Sequence, residues 1–231
     1  MSKTIMAVGA HTGDAQLTCG LLLAKHALRG DQIVVVDLTA GERGTPAGWT
    51  QAEFRAYNVE CAGQFAEKLG GISVVLDTPD GELYASKEIE LQLAGLMRRY
   101  RVNAVLYHWK NSLHKDHEAA HRITENAIFY ASLPTFEHPL PPAPIRQFMC
   151  AENWEDEPDF VPYYWFDVTE AFPVWREAVR ALWLTEHSTS FKYLRYYEAL
   201  SIVRGARMGV DHAVCFAASP IAAKRQILDL L

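Results

Sequence analysis

The sequence lacks any long hydrophobic run. Nothing in it approaches the roughly 20 consecutive apolar residues that a membrane-spanning helix requires. Runs of lysine and arginine are missing too. The 22 basic residues are scattered, and 28 acidic ones outweigh them to give a formal net charge of −6. A chain without a basic footprint holds phosphates poorly, which argues against a nucleic-acid partner and leaves no patch for a membrane surface. Paired cysteines are also missing. Cys19, Cys61, Cys150 and Cys215 lie far apart and form no CxxC, so reduced, buried thiols in a cytoplasmic protein are expected. The opening residues MSKTIMAVGA turn polar too soon for a signal peptide. There is no internal repeat and no low-complexity tract.

What is present suits one globular domain. Hydrophobic residues make up 49% of the 231 positions and charged residues 22%, enough to bury a full core and too apolar for disorder. A strand is expected over Lys3–Ala10. A helix should run from Asp14 to Leu28, with apolar residues at helical spacing and Gly30 closing it. Ile33–Leu38 is a continuous β-branched run, the mark of a strand covered on both faces. A polar loop from Thr39 to Thr50 leads to a helix over Gln51–Leu69, then a strand over Ser73–Leu76. Ser86 reads as the cap of a helix reaching Tyr100. Val102–Tyr107 is a fourth strand and Asp116–Tyr130 a further helix. This alternation predicts a parallel sheet with helices on both faces, and such sheets gather ligands at the carboxyl ends of their strands. The five prolines between Leu133 and Pro144 read as a rigid connector inside a single domain spanning 1–231. Beyond it, Phe148–Cys150 and Tyr163–Val168 are candidate strands. Thr169 is a candidate cap, and Phe191–Val203 a candidate helix.

Two clusters fall at strand ends. Ala10-His11-Thr12-Gly13-Asp14 follows the first strand and His114-Lys115-Asp116-His117 lies beyond the fourth. Each alone reads equally as a helix start capped by its aspartate. Together they offer two histidines and a carboxylate, and three protein ligands plus a water make a catalytic zinc site. Glu42 and Arg55 are candidates to reach a substrate, the plainer reading being a solvated pair. Glu152-Asn153-Trp154 could line a sugar pocket, His108 is either a supporting or a buried histidine, and Tyr193, Tyr196 and Tyr197 read as core.

These motifs carry a resemblance. The sequence resembles the LmbE-like, or PIG-L-like, zinc-dependent N-acetylglucosaminyl deacetylases, which include the mycothiol and bacillithiol deacetylases. Their AHPDD is matched by Ala10–Asp14, their HPDH by His114–His117, and their LTxGE by Leu38-Thr39-Ala40-Gly41-Glu42. Asp80-Gly81-Glu82-Leu83 and Arg204-Gly205 also match. The resemblance implies a three-layer α/β/α, Rossmann-like fold with a mostly parallel sheet. It implies one Zn²⁺ per chain on His11, Asp14 and His117. It makes His114 the group that stabilises the oxyanion or protonates the leaving amine, and Asp116 the carboxylate that orients it. The substrate implied is a small N-acyl amino-sugar-like molecule, and a homo-oligomer stays open. One match fails: the family's general base falls on Gly13, which cannot accept a proton. A metal-containing, catalytically silent binder of a sugar or nucleoside is the alternative.

Overall fold

The computed structural model describes residues 2–222. Its first half follows the alternating pattern closely. In chain order the elements are β1 (Thr4–His11), α1 (Asp14–Thr18), α2 (Gly20–Leu28), β2 (Gln32–Thr39), α3 (Gln51–Lys68), β3 (Ile72–Thr78), α4 (Lys87–Arg99), β4 (Ala104–Tyr107) and α5 (Lys115–Ser132). After the proline-rich connector come β5 (Gln147–Ala151), β6 (Tyr164–Asp167), α6 (Phe172–Val179), α7 (Trp183–His187), α8 (Tyr193–Met208) and β7 (Ala213–Ala218).

All seven strands form one sheet in the order β3-β2-β1-β4-β5-β7-β6. The first five run parallel, and β7 lies antiparallel between β5 and β6. Alternate residues of β1 face opposite ways, as the pleat requires. Ile5 and Ala7 enter the core under α2, α3, α6 and α8. Met6, Val8 and Ala10 enter the core under α4 and α5. The three-layer, mostly parallel α/β fold expected from the sequence is therefore the fold observed.

Three local differences have physical causes. The helix expected over Asp14–Leu28 is two helices, broken at Cys19. At the break the Trp175 indole lies against Gly20, where a β-carbon would come within 2.6 Å of the ring, and its Nε1 donates to the Gln16 carbonyl. Thr169 does not cap α6: it opens a short 3-10 turn, and Asp167 accepts its backbone N–H. The strand β7 and the short helix α7 were not expected from the sequence. All four cysteines are free and buried, as expected. No helix of the described residues is long and apolar enough to cross a membrane.

The strand order reverses between β1 and β4: β2 and β3 continue the sheet to one side, β5 to the other. The crevice at the carboxyl ends of two such strands is where open α/β sheets bind ligands. His11 is the last residue of β1, and His108 directly follows β4.

Candidate metal centre

The β1–α1 turn places the first cluster. His11 ends the strand, and its backbone N–H donates to Asp14 Oδ2 at 2.8 Å, folding that carboxylate back toward the strand end. Asp14 Oδ2 lies 3.2 Å from His11 Nδ1 and 3.4 Å from His117 Nε2. His117 comes from the first turn of α5, so the two clusters meet.

Hydrogen bonds to groups of fixed role assign the ring protons, because a carboxylate only accepts and a backbone N–H only donates. His117 Nδ1 lies 2.9 Å from Asp156 Oδ1, so it carries the proton and leaves the Nε2 lone pair facing Asp14. His11 Nε2 lies 3.2 Å from Asp80 Oδ1 and 3.3 Å from Asp116 Oδ2, which leaves its Nδ1 lone pair facing Asp14. Two acceptor nitrogens then surround an acceptor oxygen, an arrangement that calls for a cation. His108 also approaches Asp14, with Nε2 at 3.3 Å. Its Nε2, however, accepts the Ala10 N–H at 3.0 Å while Nδ1 bonds Asp156 at 2.8 Å. Both of its nitrogens are occupied, so His108 buttresses the site.

The electrostatics agree. Burial pushes the Asp14 carboxyl upward, but His117, His108 and His11 hold it well below the usual carboxylate range. Burial lowers His117, yet Asp14 and Asp156 more than offset this and push it up to about 10. Burial likewise lowers His11, and Asp116, Asp14 and Asp80 raise it well above its ordinary value. The cluster attracts positive charge, and a divalent ion on His11, Asp14 and His117 would supply it. Overlapping donor groups exist around Asp14–His108–His117, His11–His114–His117 and His11–Asp80–Asp116. With both His108 nitrogens engaged, the proton positions favour His11 beside Asp14 and His117.

His114 lines the same cavity, packed 4.7 Å from the His11 ring and 4.9 Å from that of His117. Its Nδ1 accepts the Asp116 backbone N–H at 3.2 Å and so caps α5. The neutral ring therefore carries its proton on Nε2. It can donate to a ligand and cannot serve there as a base.

Asp116 is not placed as the resemblance implied. Its carboxylate is buried against His11 Nε2 and the Gly81 N–H, so it orients His11, and only its backbone touches the His114 ring. Glu42 and Arg55 also stand elsewhere, since neither lines the cavity. Glu42 is buried, accepts the Asp80 N–H at 2.8 Å and pairs with Arg55 at 3.4 Å. Arg55 reaches the Leu76 carbonyl and Asp77. The pair holds the loop that carries Asp80.

The cavity, roughly 310 Å³, is walled by the metal cluster and by Trp154, Trp183, Leu184, Tyr193 and Tyr197. Asn153 and Trp154 line it as the sequence suggested; Tyr193 and Tyr197 line it as well, where core was expected. Gly13 has φ +118°, and a β-carbon there would lie 2.3 Å from a Leu184 methyl. A side chain at this position would thus start in a left-handed backbone and against the movable end of Leu184. Asp156, Asp80, Glu155 and Leu184 have no role in the sequence reading, Asp80 entering it only as part of a matched motif. The first and third lie just beyond the carboxyl end of β5, and that position was the available signal.

The sequence profile of the PIG-L family, described as GlcNAc-PI de-N-acetylase, matches residues 6–128, more than half of the chain. The chain belongs to the PIG-L family. Both histidine motifs fall inside the matched stretch, whereas Glu155 and Asp156 lie beyond it. Among relatives, a 4-oxalmesaconate hydratase of Pseudomonas putida is 26% identical over 215 residues, covering 89% of this chain and 81% of its own. The structure of GalB, the 4-carboxy-2-hydroxymuconate hydratase from P. putida KT2440, superposes with a TM-score of 0.86 at 21% identity, over 97% of this chain and 99% of its own. The N,N'-diacetylchitobiose deacetylase of Pyrococcus horikoshii superposes with a TM-score of 0.80 at 19% identity, over 95% and 84%. At these identities the structural likeness is one of fold. PIG-L members and neighbours therefore include both deacetylases and hydratases.

Proposed function

We propose that the protein is a zinc-dependent N-deacylase acting on a small, uncharged N-acyl substrate of amino-sugar type. The observation that carries this reading is the pairing of a three-ligand cluster with a cavity whose described lining holds no permanently charged cation. Among the described residues lining it, none is lysine or arginine. A polyanionic substrate would meet no lysine or arginine among the described lining residues, while Trp154 and Tyr193 offer faces for a sugar ring. When bound, zinc supplies a Lewis acid and lowers the pKa of a water to about 7.

The chain's own residues do the rest. His11, Asp14 and His117 hold the ion, with Asp116, Asp80 and Asp156 fixing the two rings. His114 Nε2–H donates to the amide oxygen as charge grows on it. The aromatic wall excludes water and orients the acyl group. The test is hydrolysis of N-acetylglucosamine conjugates with and without added zinc, beside a His117→Ala control. Activity that needs zinc and vanishes in the control supports the reading.

A second reading is hydration of a carbon–carbon double bond. It is favoured by Gly13 in place of the base and by the 26% identical hydratase. Turnover of 4-oxalmesaconate by the same preparation, with none on the amides, would select it. Tight binding of amino sugars with no turnover of either class would select a silent binder.

A further inference from the structure

Amide hydrolysis needs a group that takes a proton from water and returns it to the leaving nitrogen. Gly13 cannot be that group, and Leu184 fills the space beside it. His114 cannot, because its outward nitrogen already carries a proton. Three carboxylates line the cavity: Asp14, Asp80 and Glu155. Asp14 is the hub of the ligand cluster. Asp80 is engaged by His11 Nε2 at 3.2 Å and by the Arg43 N–H at 2.9 Å.

Glu155 differs from both. Its carboxylate makes no hydrogen bond to any described residue, and its polar neighbour is His117 Nε2 at 3.7 Å, the ligand atom itself. The side chain is 23% exposed, open enough to exchange a proton with solvent. Its backbone is nevertheless fixed. The Glu155 carbonyl accepts from the Leu113 N–H at 2.9 Å and from Ser112 Oγ at 3.3 Å. Its neighbour Asp156 is bonded to both His108 and His117. A carboxylate without a hydrogen bond to any described residue, on a fixed backbone beside the ligand cluster, has the placement that a base requires.

We infer that Glu155 is the catalytic acid–base group of this protein, standing in from the β5–β6 loop for the carboxylate that the β1–α1 turn lacks. An O–H bond of water breaks and its proton goes to Glu155. The water oxygen bonds the amide carbon, and the C=O π pair moves onto the oxygen that His114 hydrogen-bonds. The C–N bond then breaks, the nitrogen takes the proton back from Glu155, and a carboxylic acid and an amine leave. The chemistry rests on the deacylase reading, whereas the placement of Glu155 does not.

The test compares the zinc-loaded parent with Glu155→Gln and Glu155→Asp, each checked for folding by circular dichroism. Bound metal is measured first, then the affinity for acetohydroxamic acid, then turnover. This probe binds zinc as its anion and gives its proton to an adjacent acceptor. In Glu155→Gln the metal content should equal the parent's, hydroxamate binding should weaken at least tenfold, and turnover should fall by about 100- to 10,000-fold. Glu155→Asp keeps the acid on a shorter arm and should fall between. Loss of metal in Glu155→Gln would make the residue a ligand and overturn the inference. Parent-like hydroxamate affinity would make it a bystander and overturn it equally. A parent that hydrolyses no amide defeats the deacylase reading alone, because the metal and hydroxamate measurements still decide the role of Glu155.

Discussion

The two sides of the cavity are built on different logic. On the side formed by β1 and the start of α5, the rings of the candidate ligands are held by buried carboxylates. His11 is fixed by Asp80 and Asp116, His117 by Asp156, and Asp156 by His108 as well. On the side formed by α7, Leu184 and Trp183 meet the cavity through apolar contacts. Trp183 packs edge-on against Phe54 at 5.4 Å, and the Leu184 methyl closes over Gly13. The first side fixes where a charge is held. The second shapes what can approach it and crowds the usual place of a base.

Removing a ligand should break the first side outright. His117→Ala is expected to lose most bound metal, and metal analysis of the purified variant against the parent checks this. Equal metal content would refute the ligand assignment. Substitutions behind the ligands should be milder. Asp156→Asn and Asp116→Asn keep all three ligands but release the tautomers of His117 and His11. Supporting residues of this kind are typically worth about 10- to 100-fold in metal affinity. A chelator competition measures it, and His114→Ala in the same assay should match the parent. If Asp116→Asn instead keeps full affinity, its contact with His11 is incidental.

The second side can be sharpened by substitution at Gly13. The turn's φ of +118° and the Leu184 methyl make Gly13→Asp costly, by about 1 kcal/mol or more. The single variant should melt lower than the parent and gain no amidase activity. Gly13→Asp with Leu184→Ala opens the space and should recover part of the stability lost to the clash. Equal melting temperatures for the two variants would show that Leu184 is not the obstacle.

The remaining effect lies one layer behind the turn and shows itself only as a pH dependence. Asp37 on β2 is fully buried, with Oδ2 bonded by Gln16 and Thr12 and Oδ1 without a partner. Burial pushes its carboxyl from 3.8 up to about 8. The native state then keeps the proton while the unfolded chain releases it. Stability is accordingly full below about pH 4 and falls as pH rises toward 8. Asp37→Asn removes this loss, so its advantage over the parent should be near zero at low pH and grow steadily as pH rises toward 8. Thermal midpoints of both proteins at pH 5 and pH 8 test it. A constant difference between them would show that Asp37 is ionised in the native state.

The legible parts of this molecule were those whose signal is local. The strands β1 and β2 are apolar runs buried on both faces, and the two histidine motifs keep their members within four residues of one another. Glu42 and Arg55 were the right chemical types, but burial beneath a loop is a tertiary property that no local spacing reveals. Asp156 sits in the polar stretch Glu152–Asp159, which has no periodicity to give it away, and only the folded β5 end brings it to His117. The strand β7 is a short run of mostly small residues, and its place between β5 and β6 is set by long-range pairing. The general-base gap at Gly13 was visible at once. What fills it, a leucine from a short helix 171 positions downstream, was not.

The bond from His117 to Asp156 spans 39 positions and crosses the proline-rich connector. During synthesis all three ligand residues emerge before the aspartate that sets the tautomer of one of them. A nascent chain ending near the connector holds the candidate ligands without the carboxylate that sets the His117 proton. The support for one half of the cluster is thus borrowed from the other half of the chain, across the connector.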